Sequence, residues 1–184
     1  MKKALIAFCS LMVAVGAFAQ GQVNFAGRVV GVYDAPVSDS GGAKLSGAAY
    51  LVQLYAGATS SSLSAVGAAL PFRTGTAAGY WTSTALTIPA SAIAGDGTSQ
   101  IQVRAWAAAA GATYEAASAA KGAFGSSNTI GVKPTNAPDV PATLAGLQSF
   151  ALSAGGGTGT PTPEPSTLAL GALGGLALLF RRRK

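Results

Sequence analysis

The chain of 184 residues has no histidine and one cysteine, Cys9. Without an imidazole, the Ser-His-Asp and Cys-His nucleophilic arrangements are unavailable, and zinc sites built from His and Cys lose their ligands. Neither G-x-G-x-x-G nor G-x-x-x-x-G-K-[ST] occurs, so no phosphate-cradling loop is expected. Charge is scarce too, at 10% Asp, Glu, Lys and Arg. These absences point to a chain that is not an enzyme, with no catalytic residue, no cofactor and no metal site.

What little carboxylate there is must be weighed one residue at a time. Asp34, Asp39, Asp96, Glu115 and Asp139 leave a glycosidase-type pair formally open. Asp96 sits in Gly95-Asp96-Gly97 and Asp39 in a Ser/Gly loop, where each is explained by turn chemistry. Calcium takes six to eight oxygens; Asp34 and Asp39 flank one loop, yet no Asp-x-Asp-x-Asp run supplies the rest.

The start of the chain explains the missing thiol. Met1-Lys2-Lys3, an apolar run from Ala4 to Gly16, and Ala17-Phe18-Ala19 before Gln20 form the three parts of a secretory signal peptide. An N-terminal membrane helix is the alternative, but the run is short and the small-x-small site is well placed. Cleavage between Ala19 and Gln20 removes Cys9, so the mature chain holds no thiol or disulfide. An oxidising compartment permits disulfides without requiring them. Export through the Sec translocon and signal peptidase is the expectation.

Removing both ends changes the charge. Six of the twelve Lys and Arg residues are Lys2, Lys3, Arg181, Arg182, Arg183 and Lys184. The body from 20 to 160 keeps six cations (Arg28, Lys44, Arg73, Arg104, Lys121, Lys133) against five acids, a net of +1. The high pI therefore belongs to the ends, and nucleic acid is not an expected partner.

That body reads as one all-β domain, an antiparallel β-sandwich of the Ig-like or jelly-roll-like kind over 20–153, with a signal peptide over 1–19 and a linker over 154–162. Alternation predicts strands at Gln22–Val32, Ala48–Ala56, Val66–Arg73, Tyr80–Ile88 and Gln100–Ala107, with Ser127–Val132 and Leu147–Leu152 as two later ones. Pro71 marks its strand as an edge or a bulge, and Pro89 ends another. One helix is expected at Thr113–Lys121, with Thr113 as its cap. Trp81 with Tyr80, Trp106, and Tyr114 are candidates for stacking on sugar rings. Trp106 shares the parity of Gln102 and Arg104, which would place it outward, although most tryptophans are largely buried.

The tail over 163–184 is the most informative stretch. After the Gly/Thr/Pro linker come Pro163-Glu164-Pro165, an apolar run from Leu168 to Phe180, and Arg181-Arg182-Arg183-Lys184. Thirteen helical residues rise about 20 Å, short of the roughly 30 Å hydrocarbon core. The basic end resists translocation and acts as a stop-transfer signal. On these grounds alone, a weak C-terminal membrane helix and a processing signal are both open. The three-part layout resembles the PEP-CTERM sorting signal of Gram-negative bacterial surface proteins. The body, through runs such as QVNFAGRVVGVYDAPV and GAAYLVQLYAG, also resembles a passenger module found in that group. The resemblance implies that a membrane-embedded exosortase recognises Pro163, Glu164 and Pro165, removes the helix, and releases or transfers the passenger. It implies a transient inner-membrane stage and then the cell surface or exterior. The function expected is a secreted, non-catalytic surface or biofilm-matrix protein; the alternative is a carbohydrate-binding module that recognises exopolysaccharide.

Overall fold

The computed structural model describes residues 20–155. The expected signal peptide, most of the linker and the sorting tail lie outside the described residues. Within them the elements are β1 (Gly21–Phe25), β2 (Arg28–Val29), β3 (Tyr33–Asp34), β4 (Val37–Ser38), β5 (Tyr50–Gly57), β6 (Ser64–Pro71), β7 (Thr84–Ile88), β8 (Ser99–Ala107), α1 (Tyr114–Ala119), β9 (Ala123–Ser126), β10 (Ile130–Val132), β11 (Ala142–Thr143), β12 (Phe150–Ala151) and β13 (Ser153–Ala154), with short 3-10 turns between some of them. The described chain is thus predominantly β with one small helix.

The larger sheet is built on β8. Its alternation buries Ser99, Ile101, Val103 and Ala105 on one face and leaves Gln100, Gln102 and Arg104 only partly covered. One side of β8 pairs antiparallel with the whole of β5, from Tyr50↔Ala107 to Gly57↔Gln100. The other side is shared by β9, through Arg104↔Ser126, and β10, through Ile130↔Ile101. Between those two strands Ser127 fills the break. Its backbone N–H donates to Val103 O at 2.8 Å, and its Oγ accepts from Val103 N at 3.0 Å. The sheet order is β13-β9-β8-β5-β6. As Pro71 predicts, β6 is an edge strand, and its register with β5 shifts between Val52 and Leu54.

The second sheet has the order β11-β1-β7. Val23 and Phe25 from β1 and Ile88 from β7 join Val52, Leu54, Ile101, Val103 and Ala105 of the larger sheet in a single buried cluster. With about 25 cal/mol for each Å² of apolar surface removed from water, such a shared cluster is the main driving term for the fold.

Three expectations need correction. The strands are not antiparallel throughout: β1 runs parallel to β11 (Val23↔Ala142), and β4 runs parallel to β12 (Phe150↔Val37). Gln22–Val32 is not one strand, because the chain leaves the sheet after Phe25 and turns back through the β2–β3 hairpin, where Gly31 takes φ +80°. At Gly27 an added Cβ would lie 2.9 Å from Trp81 Cζ3, so a side chain there would force a shift of the ring or of the hairpin base. Finally, Leu147–Leu152 contributes only the two residues of β12. Asn128 diverts the preceding stretch by accepting from Gln148 N and donating to Gly146 O, both at 2.9 Å.

Candidate functional site

Four of the carboxylates are engaged in bonds within the domain, two in their own turns and two across the fold. Asp39 Oδ1 accepts from the backbone N–H groups of Gly41 and Ala43, both at 2.9 Å. Asp96 Oδ1 accepts from Thr98 N at 2.9 Å, and that bond holds its carboxyl below the usual carboxylate range. Asp34 accepts from the Tyr80 hydroxyl at 2.6 Å and pairs with Arg28 Nε at 3.7 Å. Glu115 accepts from the Tyr55 hydroxyl at 2.8 and 3.0 Å. Among the described residues no three of His, Cys, Asp or Glu come together as a metal-holding group.

Both tryptophans are core residues. Trp106 follows the parity of Gln102 and Arg104 as the alternation implies, yet it is 0% exposed. The helix covers it. Thr113 Oγ1 caps α1 by accepting from Ala116 N at 3.2 Å, and α1 contacts β8 and β9. Tyr114, the first residue of α1, meets Trp106, Tyr55 and Phe124 edge-on, with ring centroids 6.3, 6.1 and 5.4 Å apart. The indole N–H of Trp106 donates to Gly111 O at 3.0 Å. Across the same patch the Arg104 guanidinium lies 4.1 Å from the Tyr55 ring centroid and 4.9 Å from that of Tyr114. Arg104 also reaches Glu115 at 3.6 Å and donates from Nε to Gln102 Oε1 at 2.8 Å. Burial and the hydrogen bond to Glu115 push the Tyr55 hydroxyl pKa far up. Alternation along β8 gives the side from which the indole leaves, and α1, packed on that side, covers it.

Trp81 is 3% exposed, packs against Phe25 at 4.9 Å and Phe72 at 6.1 Å, and donates its indole N–H to Phe25 O at 3.2 Å. Neither indole offers a ring face to a sugar, so the stacking platform expected of Trp81 and Trp106 is not formed by these residues. Tyr114 is half-buried, with its ring against Trp106, Tyr55 and Phe124 and beside Arg104.

Above Trp81 the surface opens into a groove of about 340 Å³. Its walls include Arg28, Val30, Arg73, Thr76, Tyr80 and Ser83. Three short connections fix this geometry. Phe72 and Trp81 form an antiparallel bridge, Arg73 N donates to Tyr80 O at 2.7 Å, and Val37 N donates to Gly79 O at 3.0 Å. On the opposite side, Tyr33 of the hairpin donates its hydroxyl to Ala26 O at 2.8 Å. Tyr80 lies within reach of three charges: its hydroxyl donates to Asp34, Arg28 stands beside that carboxylate, and Lys44 Nζ is 5.5 Å from its ring centroid. The hydrogen bond to Asp34 raises the Tyr80 hydroxyl pKa. Arg73 is exposed and has no ion pair among the described residues. Sequence reasoning picked out Tyr80 and missed both arginines, because residues 28, 73 and 80 meet only through tertiary pairing.

Residues 161–184 match the PEP-CTERM protein-sorting motif. The tail is a PEP-CTERM sorting signal. It contains the expected recognition residues Pro163, Glu164 and Pro165 and the basic end Arg181–Lys184. A PEP-CTERM signal implies export, membrane-associated sorting and processing by an exosortase. The match covers the tail alone, and no curated protein and no solved structure matches the chain. Of the signal-peptidase site, Ala17 and Ala19 lie outside the described residues; Gln20 is exposed and directly precedes β1.

Proposed function

We propose that this chain is a secreted, non-catalytic surface or extracellular-matrix protein whose β domain is the passenger of the PEP-CTERM signal. The tail match carries the reading. After Sec export and signal-peptide removal, the apolar run 168–180 and the basic cluster 181–184 hold the precursor in the inner membrane until an exosortase acts near Pro163-Glu164-Pro165. The passenger then reaches the cell surface or the medium. The buried cluster shared by the two main sheets supports a sandwich architecture for it. The engagement of Asp39 and Asp96 in their own turns, and of Asp34 and Glu115 with tyrosine hydroxyls across the fold, supports a structural rather than a catalytic role.

Processing is testable by intact mass. Protein released by the producing cells is expected to lack Leu168–Lys184, and Glu164→Ala or loss of Arg181–Lys184 is expected to leave precursor in the membrane fraction. Released protein that retains the whole tail would sink the reading.

A further inference from the structure

We propose that the groove between the β2–β3 hairpin and the 73–83 segment binds a carboxylate-bearing polysaccharide, a polyuronate. Three observations converge on it. First, the groove gathers cations in a body that is nearly neutral: Arg28 and Arg73 line it and Lys44 packs on its Tyr80, three of the six cations between residues 20 and 160. Asp34 is the acid that pairs with Arg28, and Arg73 has no ion pair among the described residues. A guanidinium presents a planar fork of donors that matches a carboxylate in a two-bond geometry.

Second, the remaining lining suits a sugar ring. Tyr80 contributes part of an aromatic ring, Val30 stands 84% exposed at the rim, and Thr76 and Ser83 bring hydroxyls. Carbohydrate rings carry apolar C–H faces and polar edges, and this mixture addresses both. An acidic peptide would use the arginines and leave the aromatic and hydroxyl groups without a purpose. Third, the site is preformed. The backbone bonds at Arg73 and Gly79, the Tyr33 hydroxyl bond to Ala26 O and the buried Trp81 beneath hold the walls before any ligand arrives, which lowers the ordering cost of binding. The volume of the groove, about 340 Å³, falls in the usual range for ligand clefts, roughly 300–1,000 Å³.

The inference rests on the export reading only for where such a polymer is met; binding in vitro does not depend on it. The experiment uses the full chain in neutral detergent with polygalacturonate as probe. Dextran, dextran sulfate and poly-glutamate are the comparison polymers. Binding of polygalacturonate is expected, weakening at least tenfold in Arg28→Gln/Arg73→Gln while the melting temperature holds. Lys121→Gln/Lys133→Gln removes the same charge away from the groove and is expected to bind as wild type. Arg73→Gln alone, which breaks no ion pair, is expected to weaken binding in the same direction. Absence of wild-type binding, or equal weakening in the two double variants, overturns the proposal. Dextran sulfate or poly-glutamate bound as tightly as polygalacturonate overturns the ligand class. If the tail proves to be unprocessed while these results hold, the export reading alone fails.

Discussion

Replacing Trp106 with alanine separates a core indole from a ligand platform. The side chain is fully buried beneath α1, against Tyr114 and beside the Arg104 patch, and its N–H satisfies Gly111 O. Truncating a buried Trp costs about 3–5 kcal/mol through lost transfer energy and the cavity left behind. The orphaned Gly111 carbonyl adds little, because Gly111 is partly exposed and water can replace the indole. Against a total stability of about 5–15 kcal/mol, the loss is large. For a domain of this size each kcal/mol shifts the melting temperature by about 3–5 °C, so a fall of about 10–20 °C is expected. Near-ultraviolet circular dichroism during a thermal melt reads it directly, since the signal comes from packed aromatic rings. A melting temperature within about 2 °C of wild type would refute the reasoning, because only an exposed indole can be removed so cheaply.

Two further outcomes follow from packing and from the tyrosines. Gly27→Ala places a methyl 2.9 Å from Trp81 Cζ3, and the ring is locked by Phe25 and Phe72, so a loss of about 1–3 kcal/mol is expected in a denaturant titration; unchanged stability would mean that the hairpin base yields freely. Burial raises the Tyr33 hydroxyl from 10.0 to about 12, and Tyr55, Tyr80 and Tyr114 shift in the same direction. The unfolded chain binds these protons less tightly, so the stabilisation is complete below pH about 10, and the share from Tyr33 is lost as pH rises through about 12. Phenolate absorbance should therefore lag behind that of the denatured chain and rise together with loss of far-ultraviolet dichroism; a folded protein whose tyrosines all titrate near 10 contradicts it.

What could be read from sequence was local. Thr113 caps its helix, Pro71 ends an edge strand, Pro89 closes β7, and Asp39 and Asp96 bind the backbone of their own turns. In each case the deciding interaction lies within about four residues, where side-chain type dictates geometry. The parallel pairings of β1 with β11 and of β4 with β12 join residues more than a hundred positions apart, and no pattern within either strand specifies its partner. The burial of Trp106 accords with the general tendency of tryptophans to be buried, whereas its parity with Gln102 and Arg104 pointed outward. Alternation tells which side of β8 the indole leaves from, while the helix that covers that side is placed by tertiary packing.

The same distinction governs charge. A pI near 9.8 suggests a basic protein, and subtraction of the terminal Lys and Arg residues reduces the body to a net of +1, which suggests one with no electrostatic preference. Both statements are averages over the chain. Exposed charges act over roughly 8–10 Å at physiological salt, so a ligand responds to what lies within that distance and hardly to the sum. Arg104 is spent on Glu115 and two tyrosine rings, whereas Arg73 and Arg28 line an open groove floored by a fixed tryptophan. The fold thus gathers Arg28, Arg73 and Lys44 around one groove of a nearly neutral body, and the proposed recognition of a polyuronate draws on those cations together with Tyr80 and the hydroxyls of Thr76 and Ser83.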